Sequence, residues 1–170
     1  MINRRSNVFE TNSSSVHTIT LEGHNVNDLV VEKDGYIHIS LPYYGKELMS
    51  YNNSYDKLCY AILLVCYTTG LGYITCYCDD DSDEAVDDWK DCVEELKARE
   101  EYQEIEECVV TEINRQNRIC YGLKLHISNC GFDHQSQDDY DSLADFLNRN
   151  NIETLHDFIF GGAVLHTDCD

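Results

Sequence analysis

Apolar residues recur at every second position through the first forty residues. "NVFET", "VHTITL", "DLVVEK" and "YIHISL" each alternate or run through short β-branched stretches, and "SSS", "EGHN" and "KDG" separate them. That pattern predicts a meander of short strands. "EKDGY" (Glu32–Tyr36) fits a hairpin turn, because Asp-Gly tolerates the positive φ of a type I′ loop. "LPYYGKELMSYNN" reads as a connector and holds the one proline of the chain.

The period then changes. "NSYDKLCYAILLVCYTTG" places Leu58, Ile62, Val65 and Thr69 at helical spacing, while Cys59, Leu63, Leu64 and Cys66 make the other side apolar as well. A helix apolar all round belongs in the middle of a core. Asn53 or Ser54 caps it, and Gly70 and Gly72 end it. Its apolar run, Leu58–Tyr67, has ten residues, against about 20 for a membrane span. "LGYITCYC" reads as a further strand or an extension of the core.

From Asp79 to Glu107 the stripe narrows. Val86, Trp89, Val93 and Leu96 fall at intervals of three and four, and Ile105, Val109 and Ile113 continue at four. This predicts an amphipathic helix, or two in line with a break near Glu100–Tyr102, with Ser82 as N-cap. "RICYGLKLHIS" (Arg118–Ser128) alternates as one long strand. "YDSLADFLNRNN" and "IETLHDFIF" are short helices stopped by Asn150–Asn151 and Gly161–Gly162, and "AVLHTDCD" is a last strand. The expected fold is α+β. An antiparallel sheet of about five or six strands is packed on one face by helices, within a single domain spanning 1–170 that carries 79–117 as an acidic helical insertion.

Charge changes the picture. The chain of 170 residues has 32 acids, 12 Lys and Arg, and a net charge of −20. Asp79–Glu107 holds 15 acids against 3 bases, so −12 sits on about a sixth of the length. Such a field repels nucleic acid and anionic membranes and attracts basic surfaces. An ordinary solvated helix mixes signs at i,i+4; this one barely does. Asp80, Asp83, Glu84, Asp87, Asp88, Asp91, Glu94 and Glu95 are the candidate partner-binding residues. The expected partner is a protein with a basic nucleic-acid-binding groove.

Two polar corners are the other candidates. Ser13, Ser14, Ser15 and His17 follow Asn12 between two apolar segments, with Arg4 and Arg5 upstream. Hydroxyls, loop N–H groups and guanidinium forks suit an anion, and a Ser beside a His suits a nucleophile. The same residues fit a turn bonding its own backbone. Asp133, His134 and Ser136, in "GFDHQS", bring a carboxylate, an imidazole and a hydroxyl to a second loop. Convergence of the two corners would give the ingredients of a small hydrolase or an anion- or nucleotide-binding protein.

No metal site or cofactor is expected. Cys76-x-Cys78 lacks a second pair, and "DDDSDE" lacks the Gly and later Glu of a calcium loop. Nine scattered cysteines fit reduced thiols in a cytosol, and "MINRRSNVFE" has no apolar h-region.

"NVFETNSSSVH" resembles the opening of a group of uncharacterised proteins from Firmicutes, their phages and mobile elements, at Phe9–Ser15 and His17. Asp133–Ser136 and Phe158–Phe160 are similar to later elements of that group. The resemblance implies a phage or mobile-element setting, hence a bacterial host cytoplasm. Small acidic proteins of that setting resemble anti-defence proteins, including inhibitors of CRISPR effectors. The resulting expectation is an acidic, nucleic-acid-mimicking inhibitor of a host-defence enzyme.

Overall fold

The computed structural model describes residues 15–21, 23–44, 49–70, 83–126, 131–132 and 142–169, with side chains undescribed at 15–18, 83–89, 131–132 and 168–169. In chain order the elements are β1 (Ser15–Thr20), β2 (Tyr36–Ser40), β3 (Tyr43–Tyr44), β4 (Met49–Tyr51), α1 (Ser54–Thr68), α2 (Asp83–Lys97), α3 (Glu100–Arg115), β5 (Gly122–His126), β6 (Gly131–Phe132), α4 (Leu143–Arg149), α5 (Leu155–Phe160) and β7 (Val164–Cys169). The chain is thus mixed helix and strand.

Helix α1 is the centre of the core. The Asn53 side chain accepts from the Asp56 N–H, closing the first turn, and Gly70 leaves the helix at φ +79°. Lys57 through Cys66 are all buried. Each large apolar side chain among them contributes about 1.5–3 kcal/mol relative to exposure. Helices α3, α4 and α5 pack around α1. Tyr102, Ile105, Val109 and Ile113 supply the α3 stripe, all fully buried. The interruption between the two acidic helices falls at Ala98–Arg99, where Arg99 takes an extended ψ of 139°.

Two buried polar side chains tie the N-terminal turn of α1 to the far end of the chain. Ser54 Oγ donates to the Ile159 carbonyl at 3.0 Å, and Lys57 Nζ donates to the carbonyls of Gly161 and Ala163, both at 3.1 Å. Burial pulls the Lys57 ammonium down to about 8 from its ordinary 10.5. The Gly161–Gly162 turn is close-packed as well. A Cβ on Gly162 would lie 2.7 Å from the Gly23 carbonyl oxygen.

The sheet differs from the expected one. Among the described residues there is no single antiparallel sheet of five or six strands; three small sheets stand in its place. The antiparallel one has order β1-β7-β4, with His17 opposite Thr167 and Ser50 opposite His166. β2 pairs with β5, and β3 with β6, both in parallel. The cause is connectivity. The helical segment between β2 and β5 returns the chain to the same end before the second strand begins, and a crossover of that kind yields parallel strands. "EKDGY" does form a turn, with Gly35 at φ +83° and its N–H on the Glu32 carbonyl. It makes no hairpin, because residues 27–32 are irregular and β2 takes β5 as its neighbour. "LPYYGKELMSYNN" carries β3 and β4 rather than being only a connector, and within the described part of Arg118–Ser128 the strand is Gly122–His126. Side chains cover open backbone donors of the β2–β5 pair: Glu106 Oε1 accepts from the Leu123 N–H at 2.7 Å, and the Tyr55 hydroxyl accepts from the Ser40 N–H at 2.8 Å.

No helix among the described residues is long and apolar enough to cross a membrane. Cys59, Cys66, Cys92, Cys108 and Cys120 are thiols.

Candidate functional site: an acidic helix face

Helix α2 advances about 100° per residue, which separates its two residue classes. Asp83, Glu84, Asp87, Asp88, Asp91, Glu94 and Glu95 occupy positions within an arc of about 140°. Val86, Trp89, Val93 and Leu96 occupy positions on the opposite side, where Leu96 is buried and Val93 half-buried. Seven acids over a rise of about 18 Å give about one charge per 3 Å, close to the 3.4 Å spacing along one nucleic-acid strand.

Asp91, Glu94 and Glu95 are exposed. Glu95 pairs with Arg99 one turn on, whereas Asp91 and Glu94 make no ion pair among the described residues. Glu100, Glu101, Glu104 and Glu107 are likewise exposed along α3. The remaining α3 acids are withdrawn into the structure. Glu106 holds the start of β5, as above. Glu112 is buried and bonded by Arg115 (2.9 and 3.1 Å), Gln116 (2.9 Å) and His156 (3.2 Å). The Arg115 guanidinium, foremost among these donors, brings the Glu112 carboxyl down to about 2.

Of the sequence candidates, Asp80, Arg4, Arg5, Ser13, Ser14, Asp133, His134 and Ser136 lie outside the described residues, as do Cys76, Cys78 and Ser82. Ser15 and His17 fall in β1, in register with Cys169 and Thr167. The structure therefore brings the α2 acids to one face and leaves the pairing of the two polar corners outside its description.

Two polar arrangements were not singled out in the sequence. On the solvent face of the β2–β5 pair, His38 Nε2 lies 3.0 Å from Asp34 Oδ2, and His38 Nδ1 lies 2.8 Å from His126 Nε2. Lys124 Nζ donates to Asp34 Oδ2 at 2.6 Å and sits 4.4 Å from the centre of the Tyr36 ring. The Asp34 carboxyl is held well below the usual carboxylate range, first by Lys124 and then by His38. On the antiparallel sheet, His166 bridges Ser50 Oγ (2.7 Å from Nδ1) and Thr20 Oγ1 (2.9 Å from Nε2). The alternation of "YIHIS" and "GLKLH" already puts these histidines on polar faces; only the parallel pairing makes His38 and His126 neighbours.

Comparison with protein-family models, with curated proteins and with solved structures finds no match for this chain.

Proposed function

We propose that this protein is an acidic inhibitor that occupies the basic groove of a nucleic-acid-binding enzyme, in the manner of phage or mobile-element anti-defence proteins of the anti-CRISPR type. One observation carries the proposal: the α2 acids share one arc at nucleic-acid-like spacing, and Asp91 and Glu94 on it stand exposed without an ion-pair partner among the described residues. A surface of this kind attracts a basic groove over a distance set by the Debye length, about 8–10 Å at moderate salt, and speeds encounter. Binding is therefore strong at low salt and weak at high salt.

The test pairs the wild-type chain with a variant in which Asp87, Asp91, Glu94 and Glu95 are all changed to Lys. Nucleic-acid-binding proteins captured from a bacterial lysate at low salt are assayed for displacement of their nucleic acid. The wild-type chain displaces it and the charge-reversed variant, folded by circular dichroism, does not. Equal displacement by the two chains refutes the assignment to α2.

A further inference from the structure

The imidazoles of β2 and β5 form a second constellation, independent of the acidic face. His38 Nδ1 and His126 Nε2 converge to 2.8 Å, with ring centres 4.8 Å apart and planes inclined by 31°. The other nitrogen of His38 is engaged by the Asp34 carboxylate. That carboxylate is itself fixed by the Lys124 ammonium and by the Tyr36 N–H, which donates to Oδ1 at 3.2 Å. A histidine whose outer N–H is held by a carboxylate, leaving the inner nitrogen's lone pair to point at a shared site, is the usual arrangement behind a metal-ligating imidazole.

We propose that His38 and His126 together bind a divalent transition-metal ion of the nickel, copper and zinc class, with Asp34 holding His38 in its ligating orientation.

Metal–imidazole bonds are about 2.0–2.1 Å long. Two nitrogens on one ion at angles of about 90–109° therefore stand about 3.0–3.4 Å apart. Opening the 2.8 Å gap to that range takes a shift of a few tenths of an ångström, within rotamer freedom. Both histidines are placed by strands whose alternate residues, Ile37, Ile39 and Leu123, are buried, so the pair is carried on rigid backbone. Asp34 accepts the Nε2 proton of His38, which leaves Nδ1 as the donor to the ion. In the ion-free chain His126 Nε2–H donates to that atom; on binding, His126 moves its proton to Nδ1 and presents Nε2. Two imidazoles select borderline metals over calcium or magnesium, which prefer oxygen. No group of three or more His, Cys, Asp or Glu side chains converges on an ion among the described residues, so water completes the coordination sphere. The site is then open and exchangeable rather than structural.

The test is calorimetric titration of the full chain with Ni²⁺ in a phosphine reductant, which keeps the cysteines reduced. The expected result is one ion per chain, lost in H38A and in H126A. The D34N variant keeps the stoichiometry and weakens binding about 10–100-fold, as loss of an orienting carboxylate does. In the wild-type chain, Ni²⁺ selectively broadens the imidazole ring proton signals of His38 and His126, a readout that does not depend on the variants folding. Absence of one-to-one binding, undiminished binding in the H38A/H126A double variant, or broadening confined to other residues overturns the site. Unchanged affinity in D34N overturns the role of Asp34.

Discussion

Asp91 lies near the middle of the acidic arc, with Asp87, Asp88, Glu94 and Glu95 three or four residues away along α2. Positions at that spacing are neighbours on a helix surface, and a like-charged pair there costs about 0.2–0.5 kcal/mol. Asp91→Asn relieves four such repulsions at once. It keeps the shape of the side chain and changes helix propensity little, since Asp and Asn rank close together. The predicted gain is about 1–2 kcal/mol, or a rise in Tm of roughly 2–8 °C for a chain of this size. The assay is urea and thermal unfolding followed by circular dichroism at about 20 mM and 1 M salt. At 1 M the Debye length falls to about 3 Å, so the gain shrinks there. On the proposed function the same variant also binds a basic partner more weakly. A variant more stable and less active would show that repulsion is retained on α2 for recognition. Equal or lower stability of Asp91→Asn at low salt would refute the claim that the arc is uncompensated.

Two further predictions concern groups that titrate. Glu112 has its carboxyl lowered from 4.5 to about 2, so the unfolded chain binds the extra proton between those values. The stabilisation is full above about pH 4.5 and is lost as pH falls toward 2. With the exposed Arg115 partner discounted for solvent screening, its size is about 1–2 kcal/mol; the stability gap between wild type and Glu112→Gln closes across that window, and a gap independent of pH would contradict it. Lys57 is lowered from 10.5 to about 8, so between those values the folded chain sheds a proton that the unfolded chain keeps. Wild-type stability therefore rises relative to Lys57→Met from pH 8 to 10.5. At pH 7 the Met variant is weaker by about 2–3 kcal/mol, because the Gly161 and Ala163 carbonyls lose their donor; parallel urea midpoints for the two chains at pH 7 and 9.5 would count against this role.

The helices were legible because their signals are local. The apolar run of α1, its Asn53 cap and the Gly70 exit lie within eighteen residues, and the spacings of three and four from Val86 to Leu96 and from Ile105 to Ile113 predict a stripe of which Leu96, Ile105, Val109 and Ile113 are buried. Strand pairing was not legible. Alternation says which face of a strand is apolar; it does not say that Ile37 lies beside Leu123, about half the chain away. The Asp34-Gly35 turn misled for the same reason. Its backbone reverses, but the segment before it is held by single bonds, such as Arg118 Nη2 to the Leu29 carbonyl at 2.6 Å, rather than by a ladder. The acidic arc could be read from spacing alone, whereas the His38–His126 pair needed the partner strand.

The placement of bases within this acidic chain bears on what the charge is for. Where a carboxylate has a structural task, donors surround it: Lys124, His38 and the Tyr36 N–H at Asp34, the Leu123 N–H at Glu106, and Arg115, Gln116 and His156 at Glu112. Lys124 and Arg115 are thus placed at acids that hold strands and helices in place. Among the described α2 side chains Glu95 receives a cation, from Arg99, while Asp91 and Glu94 make no ion pair with a described residue. Acids needed merely for solubility would be dispersed, since a magnitude of about 2–8 suffices for a small domain. Concentrating them on one arc, opposite the apolar stripe that anchors the helix, raises the local field while leaving the core unburdened. A basic partner gains from that arrangement, and the isolated fold only loses by it.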